Sequence, residues 1–410
     1  MNASAASSPT FIERWGGFVA VALAVSLGFT IGSVPTPLYP LYQAAWEIPP
    51  SALSYIFTAY MGGILAAFLC FGRLSDSIGR YRAIVLALLL IAAGLLLSAL
   101  AGGVATLVVA RAGIGLANGL LTTTAAMALT EAHPLQDRRS AAVTTSAAIT
   151  AGFGIGPILG GGLAQVGSDP LAFPYFVLFA ATLGLLALVI RTRSQLQGPG
   201  LPRTGLSISP QMALPAKPRR SAFILASLSG LATSAVVCLF ASLIPPLLQK
   251  LLPWKGPMVI GATFLLLAGA SAATQITQRA LPPFQGLGLG MLALLLSLVS
   301  LALGLLLENV AGLALSMVLA GVGQGFGIMD STMIAARSSD EHRRAANVST
   351  YFFISYVGAT LPIIAVGLLA DRLGLAPAVL VFCVVTGGAL LALAWGAFRH
   401  HRADSEFSNP

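Results

Sequence analysis

Charged residues are scarce in this chain: Asp, Glu, Lys and Arg make up only 9% of its 410 residues. A soluble domain of this length could not cover its surface with so few charges, so the composition excludes a soluble globular protein. Hydrophobic residues account for 57% of the chain, and the mean hydropathy is +0.88. Apolar runs recur along the whole length, which predicts a protein that crosses a membrane many times.

Cysteine and histidine are also rare, with three and four residues respectively. The cysteines lie far apart in apolar runs and form no Cys-x-x-Cys pair, which argues against a disulfide or a metal site: Cys70, Cys238 and Cys383. The histidines fall in expected loops or the tail without metal-ligand spacing: His133, His342, His400 and His401. The sequence contains no recognisable Ser/His/Asp set and no phosphate-binding loop. We therefore expect that the protein is not an enzyme and that it has no metal site and no cofactor.

The net charge of +9 is the third compositional feature. In a soluble protein this excess would suggest nucleic acid as a partner, but the chain has no cluster of basic and aromatic residues, so we expect none. In a membrane protein the same excess is typical of the loops on the cytoplasmic side.

Runs of about 20 apolar residues are long enough to cross a hydrocarbon layer of ~30 Å. The first such run follows a polar stretch and has no convincing cleavage site, so we interpret it as an uncleaved span. We expect an all-α membrane protein with twelve transmembrane helices, at 17–40, 51–71, 83–101, 104–130, 140–165, 171–190, 221–248, 256–276, 286–306, 310–334, 345–370 and 375–398.

The twelve runs fall into two sets of six, separated by a polar stretch rich in Pro, Gly, Ser, Arg and Lys. We expect an N-terminal six-helix half at 1–190, a cytoplasmic linker at 191–220 and a C-terminal half at 221–410. This division indicates duplication of a six-helix unit and pseudo-symmetric halves, because features recur at offsets of 205 to 208 residues: Pro40 with Pro246, Gly113 with Gly321, Gly115 with Gly323, Gly119 with Gly327, and Pro157 with Pro362.

Lys and Arg are distributed unevenly over the expected loops. If the N-terminus is inside, eighteen of the 22 basic residues lie on the inside and three, Lys250, Lys255 and Arg372, lie outside. This asymmetry predicts that both termini are cytoplasmic. The excess of 19 Arg over 3 Lys is typical of a bacterium with a GC-rich genome, which suggests the bacterial inner membrane.

A short charged loop separates the second and third apolar runs. Gly72 and Gly79 allow sharp backbone turns, and Asp76 can pair with Arg73 or Arg80 or accept hydrogen bonds from a helix N-terminus. The loop resembles the pattern G-x-L-x-D-x-x-G-R-x-R between spans two and three of major facilitator superfamily transporters. That resemblance implies a latch on the cytoplasmic side. The alternative is an ordinary positive-inside loop with one incidental acid.

Arg111 lies about seven residues inside the fourth expected span, roughly 10 Å along the helix. A guanidinium at that depth costs several kcal/mol unless it is paired or hydrated. Its counterpart in the repeat is Leu319, so the scaffold does not require a charge there. The spacing from Arg111 to Gly115 resembles a second motif of the superfamily, which implies a role in proton coupling. The alternative is an arginine that extends to the membrane interface.

The fifth span contains the pattern G-x-x-x-G-P-x-x-G-G. Small residues let helices approach closely, and a proline frees a backbone carbonyl and bends the helix. The pattern resembles the motif of the twelve-span drug:proton antiporters within the superfamily, and the alternative is generic small-residue packing. Its members are Gly152, Gly156, Pro157, Gly160 and Gly161.

Asp330 is the one acid that we expect inside a span. A carboxylate in hydrocarbon favours its neutral form, so Asp330 is a candidate proton carrier. It lies only about five residues from the end of the span, about 7 Å along the helix. It could instead reach water or pair with Arg337 or Arg343. The first span has no acid, although many proton-coupled members of the superfamily carry one there.

Aromatic residues in the spans could line a cavity for an apolar ligand, although they more often pack helices. The candidates are Phe240, Phe326, Tyr351 and Tyr356.

The resemblance covers nearly the whole chain and implies a secondary transporter that works by alternating access between its halves. We expect a monomer that exports small apolar or amphipathic molecules in exchange for protons. One alternative is an uptake symporter or uniporter of the same fold. Another is a membrane receptor or enzyme that does not transport, but neither a large soluble domain nor a catalytic cluster supports it.

Overall fold

The computed structural model describes residues 11–71, 74–135, 137–196, 212–251, 254–278, 281–339 and 344–408. These residues form sixteen α-helices and one 3-10 turn at Thr36–Leu38, and they contain no β-strand. The helices are α1 (Phe11–Ser33), α2 (Tyr39–Trp46), α3 (Pro50–Cys70), α4 (Leu74–Ile78), α5 (Arg80–Ala99), α6 (Val104–Ala132), α7 (Arg138–Val166), α8 (Phe173–Arg191), α9 (Arg193–Leu196), α10 (Lys217–Ser242), α11 (Ile244–Leu251), α12 (Pro257–Thr277), α13 (Pro283–Leu306), α14 (Val310–Arg337), α15 (Arg344–Leu373) and α16 (Leu375–Ser408).

The prediction of twelve spans is confirmed: twelve helical segments are long and apolar enough to cross a membrane. Two of the spans, the first and the seventh, are interrupted near their ends. The first breaks into α1, the 3-10 turn and α2, and the seventh breaks into α10 and α11. Prolines cause both breaks, because proline lacks the backbone N–H that a continuous helix needs. The prolines at these breaks are Pro35, Pro37, Pro40, Pro245 and Pro246. Of the expected linker, 197–211 lies outside the described residues.

Helix packing repeats between the two sets of six spans. In the first set α3 and α5 pack on α6, α7 packs on α1, and α8 packs on α5. In the second set α12 and α13 pack on α14, α15 packs on α10, and α16 packs on α13. The two sets meet through α3 with α15 and through α7 with α12. The same pairing scheme therefore occurs twice, as expected for parallel repeats.

The two halves are closed against each other at one membrane face. We call the face where α1 begins the terminal face, and the other the opposite face. At the opposite face α2 contacts α11, and the 3-10 turn contacts α12. Along α7, none of residues 143–151 is buried, whereas Gly152 and several residues after it are. Since residues 143–151 are the terminal-face part of this helix, α7 is less closely packed there than toward the opposite face.

Candidate functional site: a central cavity and a buried arginine

A cavity of about 140 Å³ lies between the halves near the middle of the spans. Helices α3 and α7 of the first half and α10, α14 and α15 of the second half line it. Most of the lining is apolar, with a few polar groups, as is usual for small-molecule sites. The lining residues are Met61, Phe153, Thr233, Ser234, Val237, Cys238, Gln324, Ile328, Tyr356 and Ala359.

Of the four aromatic residues that we expected at a cavity, Tyr356 lines it. The structure locates the other three within the second half. Phe240 is fully buried in the core. Tyr351 contacts the hydroxyls of Ser331 and Thr332, at 2.7 and 3.0 Å. Phe326 packs against α13. Nothing in the sequence distinguishes Tyr356 from the other three, because all four occur in apolar helices.

Arg111 is 1% exposed and lies among α1, α3 and α6. Its Nη2 donates to the Gly32 carbonyl oxygen at 2.9 Å, and the guanidinium carbon lies 4.4 Å from the centre of the Tyr60 ring. The Tyr39 side chain also interacts with it. Among the described side chains no carboxylate pairs with Arg111, and its Nε and Nη1 are buried without a hydrogen-bond partner. The charge is therefore held by a carbonyl dipole and by aromatic faces.

Asn118 extends this network and was missed in the sequence. It lies two helical turns after Arg111, so both residues face α1 and α3. Its Nδ2 donates to the Gly28 carbonyl oxygen at 2.7 Å and to the Tyr60 hydroxyl at 3.0 Å. A polar amide seven residues from an arginine in an apolar span was the available signal.

Gly115 permits the close approach of α6 to α3 beside this network. A Cβ at Gly115 would overlap the Tyr60 backbone carbonyl. At Gly113, two residues earlier, a Cβ would meet nothing within 4 Å. The Arg-x-x-x-Gly spacing thus has a structural reason, since the glycine lets Tyr60 lie against the arginine on the same helix face.

Three glycines of the fifth-span motif form a seam between α7 and α1. A Cβ at Gly152 would overlap the Ser26 carbonyl oxygen. At Gly156 it would lie 2.5 Å from the Thr30 carbonyl oxygen, and at Gly160 it would lie 2.5 Å from that of Val34. The four-residue spacing puts all three glycines on one helix face, so α7 packs against the α1 backbone.

The other members of the motif face the second half. A Cβ at Gly161 would overlap the backbone of Pro257 at the start of α12, and a Cβ at Gly261 of α12 would overlap the carbonyl oxygen of Pro157. One helix therefore carries two close-packed faces, one toward α1 and one across the interface between the halves. The motif lies where the halves must move if the protein alternates between two openings.

The charged loop after the second span is described in part. Gly72 and Arg73 lie outside the described residues, and Asp76 belongs to α4, with its side chain not described. Gly79 separates α4 from α5 with φ of 93°, a conformation that favours glycine. Arg80 Nε lies 3.5 Å from Glu131 Oε1 at the end of α6. This ion pair was not expected, and it ties the loop to the fourth span.

Asp330 is 5% exposed and packs against α13, where its carboxylate lies next to the Gly286 backbone. Its Oδ2 has no hydrogen-bond partner among the described groups, and no ion pair joins it to Arg337 there. Arg343, the other expected partner, lies outside the described residues. The cavity-lining residues of α14 are Gln324 and Ile328. At about 100° per residue, Asp330 lies on the far side of α14 from Ile328.

Asp371, at the opposite face, makes a contact between the halves that the sequence did not reveal. Its Oδ1 accepts a hydrogen bond of 3.0 Å from the Ser51 backbone N–H. Ser51 lies in the first turn of α3, where the N-cap residue is Pro49 and no side chain of the same segment caps the helix. A carboxylate from α15 thus caps the start of α3 and interacts favourably with its dipole.

Removing this charge is expected to loosen the closed face. A carboxylate near a helix N-terminus contributes about 0.3–1 kcal/mol, so Asp371→Asn should shift the closed-to-open ratio by about two- to fivefold. Spin labels at the exposed positions Ala45 and Lys250 would report the separation of the halves by pulsed electron resonance. Arg372→Gln, at the next position, is the control. An unchanged distance distribution in Asp371→Asn would contradict this role.

Twelve spans in two similarly packed sets, with a cavity between them, define a secondary transporter. Residues 21–363 match the sequence profile of the Major Facilitator Superfamily, and the chain belongs to that family. It is a multi-pass membrane protein, and the sequence expectation that it is not an enzyme agrees with the family.

Relatives within the family are distant. The riboflavin transporter RibZ of Clostridioides difficile is 23% identical over 178 residues, which are 43% of this chain and 38% of that protein. The multidrug efflux protein YfmO of Bacillus subtilis is 30% identical over 159 residues, 38% of this chain and 39% of that protein. The chain spans less than half the length of these curated relatives.

Solved structures resemble the fold over nearly its full length. A bacterial homologue of the human lysosomal transporter Spinster matches with a TM-score of 0.76 at 15% identity, covering 96% of this chain and 98% of that one. The peptide transporter POT matches with a TM-score of 0.74 at 15% identity, covering 98% and 96%. At this identity the likeness establishes the fold.

Proposed function

We propose that the protein is a proton-coupled antiporter that exports small apolar or amphipathic molecules. The observation that carries the proposal is the position of the fifth-span motif. Its glycines close-pack α7 on α1, while Pro157 and Gly161 contact α12 across the interface between the halves. Phe153, inside the same motif, lines the central cavity. Movement of the halves would therefore be coupled to the shape of the cavity through one helix.

Export has one alternative, which is uptake. Similarity to a multidrug efflux protein favours export, whereas similarity to a riboflavin transporter favours a metabolite carrier, an uptake symporter or uniporter. Everted and right-side-out vesicles from cells that express the protein separate the two, because an exporter accumulates substrate in everted vesicles. A susceptibility screen in a host without its own pumps supplies the substrates to be tested.

We further propose that the terminal face is cytoplasmic in a bacterial inner membrane and that the protein acts as a monomer. The excess of Lys and Arg on that side supports this orientation. The loop with Asp76 and Arg80 would then act as a cytoplasmic latch, with the Arg80–Glu131 ion pair holding it against α6. The coupling groups would be Arg111, with Gly115 beside it, and Asp330.

Occupation of the cavity by substrate is tested with a native thiol. Cys238 lines the cavity, whereas Cys70 and Cys383 do not. In a Cys70→Ser/Cys383→Ser background, we expect a transported substrate to slow alkylation of Cys238 by N-ethylmaleimide. A transported substrate that leaves the alkylation rate unchanged would show that transport does not use this cavity.

Asp330→Asn is expected to keep substrate binding but to weaken the response to a pH gradient, because an amide cannot take up and release a proton. Proteoliposomes with an imposed gradient measure the response, and alkylation of Cys238 measures binding. Ser331→Ala, which alters the neighbouring position and keeps the carboxylate, is the control. A full gradient response in Asp330→Asn would make Asp330 a structural residue at the contact with α13.

A further inference from the structure

The central cavity is lined by neutral groups, but its nearby charge is positive. None of the lining residues is Asp, Glu, Lys or Arg. Asp330 lies on α14, yet its carboxylate packs against Gly286 of α13 on the side of the helix away from Ile328. A cation in the cavity would therefore find no acidic partner among the described lining side chains.

Arg111 is buried against α3, one of the helices that line the cavity. Its guanidinium stacks on Tyr60. Tyr60 directly precedes Met61, a lining residue, in α3. A Cβ at Gly63, two residues after Met61, would overlap the backbone carbonyl of Ala112, the residue after Arg111. A guanidinium stays protonated in proteins, so its charge is permanent. Without a carboxylate partner, that charge imposes a positive potential on the cavity.

In the part of the chain that the structure describes, the cavity wall also carries hydrogen-bond donors that no protein group uses. Among the described residues, no hydrogen bond engages the side chains of Ser234, Gln324 or Tyr356. Each can donate to a carboxylate oxygen. Met61 and Phe153 supply an apolar surface on the other side of the cavity, where the remainder of a ligand would lie.

From these three features we propose that the cavity selects amphipathic carboxylates, organic anions with an apolar body, over organic cations of the same shape. This inference rests on the proposed transport function and specifies its substrate class. For an ion about 10 Å from Arg111 at an effective dielectric constant of about 20, Coulomb's law gives roughly tenfold preference for the anion over a neutral ligand and more than about a hundredfold over the cation.

The test uses three probes with one carbon framework: phenylbutyrate, phenylbutyramide and phenylbutylamine. At neutral pH they are an anion, a neutral amide and a cation. Protection from neutral N-ethylmaleimide is measured with purified full-length protein in lipid nanodiscs. One reporter is Cys238 without the other two cysteines. The second is Ile328→Cys in a cysteine-free chain, because Ile328 is 36% exposed and lies in the cavity wall.

We expect the concentration that gives half-protection to be lowest for phenylbutyrate, higher for the amide and highest for the amine. The concentrations for the anion and the cation should differ by at least about tenfold. Arg111→Gln should bring the anion and the cation within about threefold of each other, whereas Arg111→Lys should keep the order. Gln324→Leu, which leaves Arg111 intact, should weaken protection by the anion more than protection by the amine. This variant keeps the test decisive if Arg111→Gln does not fold.

Equal protection by the three probes, stronger protection by the amine, or no protection by any probe at either reporter would overturn the proposal. The assay needs no proton gradient, so its outcome is separate from that of the transport assay. If the order holds and no proton-driven export is found, the selectivity stands and the antiport mechanism fails. If proton-driven export occurs with the amine preferred, the antiport mechanism stands and the anion selectivity fails.

Discussion

Arg111→Ala is expected to abolish proton-driven export, reducing it to the level of protein-free vesicles. The guanidinium is the one charge within Val104–Ala125, the part of α6 that is apolar enough to cross a membrane. It joins the Gly32 carbonyl of α1 to the Tyr60 ring of α3. Burial of an arginine costs about 2.5–3.5 kcal/mol on insertion scales, so a protein of this fold gains no stability by keeping it unpaired. We expect Arg111→Ala to insert and to remain monodisperse in detergent.

Proteoliposomes with an imposed pH gradient measure this prediction, with substrate counterflow in the absence of a gradient as a second readout. Val109→Ala is the matched control, because Val109 lies two residues away on the same helix and is 63% exposed on the outer surface. Arg111→Lys keeps the charge but loses the planar donor geometry, and we expect it to retain part of the activity. Wild-type gradient-driven export in Arg111→Ala would exclude a coupling role.

Gly156→Val is expected to block or uncouple transport while the protein still inserts. A Cβ there would overlap the Ser33 hydroxyl and lie 2.5 Å from the Thr30 carbonyl oxygen. A backbone oxygen cannot move aside as the tip of a side chain can, so α7 and α1 must separate. Overpacking of this kind costs about 1–3 kcal/mol. Since α7 also contacts α12, the displacement would reach the interface between the halves.

Gly162→Val is the matched control for this variant. Gly162 lies in the same helix next to the motif, and a Cβ there would meet nothing within 4 Å. We expect this control to export at the wild-type rate and to resist heating in detergent like the wild type. Normal coupled export in Gly156→Val would show that the seam between α7 and α1 does not set the coupling.

Much of the site could be predicted from local sequence. Arg111 stands out because its cost in an apolar span is a property of one residue and its depth. The glycine and proline pattern of the fifth span stands out because a fixed spacing puts its glycines on one helix face. The cavity lining could not be predicted in this way. Met61 belongs to the first half and Gln324 to the second, so they line one cavity only when the halves pack together.

Asp330 and Asp371 illustrate the same limit. In the sequence, Asp330 was the one acid expected inside a span, and Asp371 was an acid near the end of another. The structure packs Asp330 against the Gly286 backbone of α13 and joins Asp371 to the first turn of α3. Which group an acid faces depends on contacts between residues as far apart as Ser51 and Asp371. Hydropathy and short motifs carry no information about such pairs.

The sequence by itself determined the membrane class, the twelve spans and the family resemblance. Those properties depend on the transfer of each apolar segment from water to lipid, and this free energy is set by the residues of that segment alone. The tertiary structure decided which face is closed, which residues line the cavity and that Arg111 has no acidic partner among the described side chains. These properties depend on how separate helices pack, because small residues and polar contacts between helices determine that packing in lipid.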